Sequence, residues 1–155
     1  SSEATAVIEA VWPHVRPSQR AAAHQIRGDV QRWNGELAAA EEDYAAALRW
    51  GSAFGLHRDA NRLNQLLLGW AQGQRGLLDQ LEELVDSEAS WIAGTARALA
   101  VRIDAEHPTP LYARALAGLE ADGLTWDPDA VRLLDEAARV AQDDAPRIRT
   151  VLRGV

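Results

Sequence analysis

Apolar residues recur at i, i+3, i+4 and i+7 through nearly every segment of this chain, and that period commits it to helices. The Val-Ile-Thr alternation of half-buried strands is missing, while Ala, Leu, Glu, Arg and Gln, all strong helix formers, dominate. Cap chemistry marks the boundaries. A run from Glu3 to Val11 ends near Pro13, and Ser18 after Pro17 opens a second run through Ile26 and Val30. Gly35 breaks it, Leu37 to Trp50 follows, and Gly51 and Gly55 are expected to end that helix as left-handed caps. Asp59 opens a run that Gly73 closes, and a helix from Leu77 to Val85 answers it. Asp86-Ser87-Glu88 caps a helix over Ala89 to Ala105. Thr109-Pro110 and Asp127-Pro128 repeat one start signal, an N-cap followed by proline at the first helical position. Gly123 ends the first of these helices, Gln142 the second, and Asp144 with Pro146 begins a short last helix. About nine helices joined by short turns make either a bundle or a solenoid.

Internal periodicity separates those two. Between Ala21 and Ala53, Gly28 supplies a small residue for close helix approach, and Gly35 with Glu36 and Leu37 supplies a tight turn. Ala40, Tyr44 and Ala47 then follow as small, aromatic and small. This segment resembles a unit of the tetratricopeptide repeat. Later units drift: Gly73 holds the turn position, but Leu66 and Leu78 stand where small residues are expected, and Pro108 replaces the turn glycine of the third unit, where Ala113 and Ala117 are the small residues. The resemblance implies an all-α fold of antiparallel helix pairs stacked as a right-handed superhelix, an α-solenoid fragment forming a single domain over residues 1–155. From Gly28 to about Val140, the stretches ELAAAEEDYAAALRWGSAFGL, LNQLLLGWAQGQRGLLDQLEELV and YARALAGLEADGLTWDPDAVRLLDEAARVA look like the helical-repeat regions of large actinobacterial regulators. Such regulators join an ATP-binding module to the repeats, with a LuxR-type DNA-binding or cyclase domain elsewhere. The resemblance implies a cytoplasmic sensor of a ligand or protein partner. A chain starting at Ser1 without methionine is expected to be a piece of such a protein.

Reactive constellations are absent from the sequence. Without cysteine there are no disulfides, thiolate nucleophiles or cysteine-held zinc. His14, His24, His57 and His107 are scattered and form no HExxH pair, so no metal is expected; His24 reads as a packed residue. No GxSxG elbow or phosphate loop occurs, and in GWAQGQRG the glycines suit helix packing and a turn. The acids Glu41-Glu42-Asp43 and Glu82-Glu83 read as solvated helix faces. Catalysis and a cofactor are therefore not expected. A formal charge of −7 and a pI near 5.0 oppose phosphate backbones, and Arg147, Arg149 and Arg153 read as a solvated face suited to the helix dipole. No apolar run approaches a membrane span, and Ser1-Ser2-Glu3 opens no signal peptide.

Tryptophan is unusually frequent beside one Phe and two Tyr. Trp50 and Trp91 fall on apolar stripes and are expected in the core, whereas Trp33 and Trp70 end first helices just before a turn. In the repeat fold the first helix of each pair lines the concave face. The mapping assigns Gln25, Asp29, Arg32 and Trp33 to that groove in the first unit, Asn64, Leu67 and Trp70 in the second, and Arg102 and Glu106 in the third. Such a groove suits an extended peptide, a protein partner or a small polar ligand. The missing lysine argues against a clamp for peptide carboxyl termini. A scaffold that self-associates as a homo-oligomer through an exposed apolar helix face is the alternative.

Overall fold

The computed structural model describes residues 3–51, 55–124 and 127–154. Among them it is all-helical, with nine α-helices and no strand. No helix there is long and apolar enough to cross a membrane. The chain divides into two compact units, Ser1–Leu77 and Leu78–Val155.

The first unit holds α1 (Glu3–Val11), α2 (Arg20–Trp33), α3 (Leu37–Gly51) and α4 (Gly55–Ala71). The α2–α3 hairpin turns at Gly35, whose φ of 80° lies in the left-handed region where side chains are strained. Gly28 lets the two helices approach: a Cβ there would lie 2.6 Å from the Tyr44 ring. Tyr44 is buried with Ala40 and Leu68, and Leu37 packs against that cluster. Within the unit α2 packs on both α3 and α4. The expected boundary after Trp50 differs. Helix α3 continues through Gly51, and α4 begins at Gly55, ahead of the Asp59 signal; residues 52–54 between them, and the side chain of His57, lie outside the described residues.

The second unit holds α5 (Leu78–Leu81), α6 (Ser90–Ile103), α7 (Pro110–Asp122), α8 (Pro128–Val140) and α9 (Ala145–Arg153). Its centre is α6, which buries Ile92, Ala96, Leu99 and Val101 and packs on both α7 and α8. In turn α8 packs on α9, and α9 touches α7. The start signals act as read. Thr109 Oγ1 accepts from Tyr112 N at 3.3 Å, and Asp127 Oδ1 accepts from the amides of Asp129 and Ala130 at 2.8 and 3.1 Å. Asp144 with Pro146 begins α9 as read, and the Asp144 side chain, which caps no amide, accepts from the Tyr112 hydroxyl at 2.8 Å.

The helix expected over Leu77 to Val85 is broken into one α turn and a 3₁₀ turn at Leu84–Asp86. Leu77, Leu81, Leu84 and Val85 are all buried, so the apolar pattern holds. Arginine side chains take two of the carbonyls: Arg114 donates to Glu82 O at 3.2 Å and Arg97 Nε to Val85 O at 3.0 Å. So short a segment gains little from its own helical bonds and yields to those donors. The same region shifts the start of α6 to Ser90: Ser87 Oγ accepts from Ala89 N at 3.3 Å, one residue before the helix.

Candidate functional site

The first unit has an ionic interior. Buried Asp43 accepts from Arg27 Nε and Nη2, both at 2.8 Å, and pairs through its Oδ1 with His24 Nδ1 at 2.7 Å. Arg27 in turn stacks on Trp12, its guanidinium carbon 3.5 Å from the ring centroid, while His24 meets the same ring edge-on. One carboxylate on α3 thereby fixes two α2 side chains and, through Trp12, the end of α1. This overturns the reading of Asp43 as a solvated acid; only its neighbours Glu41 and Glu42 are exposed. The residue falls in the buried stripe Ala40, Asp43, Tyr44, Ala47 at i, i+3, i+4, i+7. That periodicity was the available signal.

A second buried group sits further along α2. Burial first, then the Asp29 carboxylate, push the Tyr44 hydroxyl above the ordinary tyrosine range. It stays protonated, donating to Asp29 Oδ1 at 2.5 Å and accepting from Arg32 Nε at 3.0 Å. Because α2 turns its charges inward, its solvent side is left apolar. Ala22, Ile26 and Trp33 are the exposed residues of α2, and the i, i+4, i+11 spacing sets them along one stripe. Ile26 is 56% exposed and Trp33 46%. Val7 and Val11 on α1 and Leu48 and Trp50 on α3 add to the exposed apolar surface of this unit.

The predicted groove residues therefore separate. Trp33 is open, whereas Arg32, Asn64 and Leu67 are buried and offer no surface to a ligand. Arg32 lies inside because Tyr44 and Asp29 satisfy its guanidinium. Asn64 and Leu67 lie inside because α4 is covered nearly all round from Ala60 to Gly69, turning only Arg62 and Gln65 toward solvent. Gln25 and Asp29 are half-buried, and the Gln25 amide nitrogen is enclosed without a partner. Trp70 is half-buried beneath Arg75, 4.9 Å from the ring centroid. In the second unit Arg102 pairs with Glu136 at 3.2 Å, and exposed Glu106 edges a cleft of about 280 Å³ with Tyr112, Gln142 and Asp143. Trp50 and Trp91, expected in the core, are 54% and 41% exposed. Both sit at helix ends, Trp50 near the end of α3 and Trp91 near the start of α6. Trp126 lies outside the described residues.

The His24–Asp43 pair has two members of a hydrolytic triad, but its surroundings do not complete one. Arg27 forks the same carboxylate, and the adjoining cleft is lined by Gln31, Ala39, Glu42, Ala46 and Arg49 without a hydroxyl nucleophile. Among the described residues no three His, Asp or Glu converge as metal ligands. Compared with protein families, with curated proteins and with solved structures, the chain gives no match.

Proposed function

We propose that this chain is a non-catalytic interaction domain of the tetratricopeptide kind, working within a larger cytoplasmic regulator by holding a protein or peptide partner. The observation that carries the reading is the apolar stripe Ala22, Ile26, Trp33 on α2, open to solvent above an interior of satisfied charges. A helix ordinarily presents the reverse pattern, and exposed apolar side chains aligned along one ordered helix, here interrupted by half-buried Asp29, suit a surface that is covered in use. The pairing order supports the repeat kinship. In each unit a first helix packs on its partner and on the first helix of the next pair, as α6 does on α7 and α8 and α2 does on α3 and α4. Binding along α2 would shift how neighbouring domains are held.

The test is a titration with pooled peptides and cell-extract fractions, followed by tryptophan emission in the parent chain and in Trp33→Phe. A saturable change that disappears in Trp33→Phe is expected. A change retained in that variant would place the partner elsewhere.

A further inference from the structure

The apolar stripe on α2 has a partner of matching chemistry in a second copy of itself. We propose that two chains associate through α2 in an antiparallel, twofold arrangement, an inference that rests on the interaction reading and names the partner.

Charge is the first argument. Residues 1–77 carry eight acids (Glu3, Glu9, Asp29, Glu36, Glu41, Glu42, Asp43, Asp59) and eight arginines, so their formal charge is zero. The whole −7 of the chain belongs to residues 78–155, with fifteen acids against eight arginines. A neutral surface approaches its copy without net repulsion, which a surface on the acidic unit would not.

Polarity along α2 is the second. Asn34 Nδ2 donates to Thr5 Oγ1 at 3.3 Å, which sets the start of α1 beside the end of α2. Exposed Glu3 and Glu36 thus cluster at the carboxyl end of α2, whereas exposed Arg16 and half-buried Arg20 lie at its amino end. Antiparallel pairing brings the acidic end of one copy to the basic end of the other and opposes the helix dipoles. A parallel pairing stacks like on like.

Size is the third. With the twofold axis between residues 27 and 28, bulky Trp33 of one copy lies over small Ala22 of the other, and Ile26 lies over half-buried Asp29, whose carboxylate is already held by Tyr44 and Arg32. Large-over-small packing of this kind anchors helix interfaces around one or two aromatic residues.

Sedimentation velocity on the intact chain over a wide concentration range tests the proposal, with Ile26→Arg, Arg16→Glu and the double variant Arg16→Glu/Glu36→Arg alongside. Ile26 and Arg16 are exposed, so circular dichroism and Tm are expected to match the parent. The expected results are a concentration-dependent dimer, weakened roughly thirtyfold or more by Ile26→Arg. Arg16→Glu weakens it less, and the double variant, which restores opposite charges only in the antiparallel register, recovers the parent affinity. A dimer indifferent to Ile26→Arg, or a double variant weaker than Arg16→Glu alone, overturns the interface or its orientation. A chain monomeric at every concentration overturns the second copy as occupant. The Trp33 titration then separates the outcomes: a saturable response leaves another protein's helix as the partner, and no response removes the interaction reading as well.

Discussion

The two units solve the problem of burying a helix in opposite ways. In Leu78–Val155, Leu, Ile and Ala fill the interior, most of the acids face outward while Asp129 is buried, and Trp91 is the one large apolar side chain exposed among the described residues. In Ser1–Leu77 an Asp, two arginines and a histidine are drawn inside or nearly so, while Val7, Val11, Ile26, Trp33, Leu48 and Trp50 face out. Neither pattern follows from composition, since both units are rich in Ala, Leu and Arg. Among the described residues, the second unit covers nearly all of its large apolar side chains; the first draws a few charged side chains inside and leaves six large apolar ones exposed.

The contrast is broken most severely at Asp43. Asp43→Ala leaves Arg27 and His24 without their shared acceptor and is expected to cost about 3–5 kcal/mol, seen in urea unfolding with hydrogen exchange read in α2 and α3. The matching change in the second unit is Leu134→Ala, a fully buried side chain whose loss leaves a cavity. There the expectation is roughly 2–5 kcal/mol, with exchange rising in α6, α8 and α9. Gly28→Ala should cost about 1–3 kcal/mol, because the new methyl must displace the buried Tyr44 ring and strain the Asp29–Tyr44–Arg32 bonds. A Tm unchanged in that variant would mean the α2–α3 approach is looser than a 2.6 Å Cβ–ring distance implies.

The smallest effect concerns pH. Arg147 hydrogen-bonds Glu120 on the exposed side of the second unit and holds its carboxyl below the ordinary glutamate range. A lowered folded pKa stabilises above the unfolded value, and that contribution is lost as pH falls through the folded one. Glu120→Gln should therefore lower stability slightly at neutral pH and flatten the acid limb of its pH profile, measured by urea midpoints. Surface screening keeps the difference small.

What could be read from the sequence divides along the same physical line. Gly35, Gly123, Thr109-Pro110 and Asp127-Pro128 were legible because each meets a local backbone demand, a positive φ or an orphan amide. Gly28 was legible because it stands where the repeat pattern needs a small residue for close approach of the second helix. Trp33 stood out as the large side chain just before a turn. Asp43, in contrast, is held by residues 16 and 19 positions away on another helix, and no local pattern reports such a partner. The burial of Arg32, Asn64 and Leu67 was not legible, because repeat positions say which helix lines a face, not how far neighbouring helices cover it. The break between α5 and the following 3₁₀ turn depends on Arg97 and Arg114, again distant in sequence.

The central claim is that the first unit's open apolar surface is a binding surface while the second unit is complete in itself. Hydrogen exchange by mass spectrometry, on the intact chain at low and high protein concentration, addresses it directly. The account predicts that amides of α2 gain protection as concentration rises while those of α6 to α9 stay the same. Protection appearing in α6 to α9 instead would contradict it, and equal exchange at both concentrations, together with no response in the Trp33 titration, would do the same.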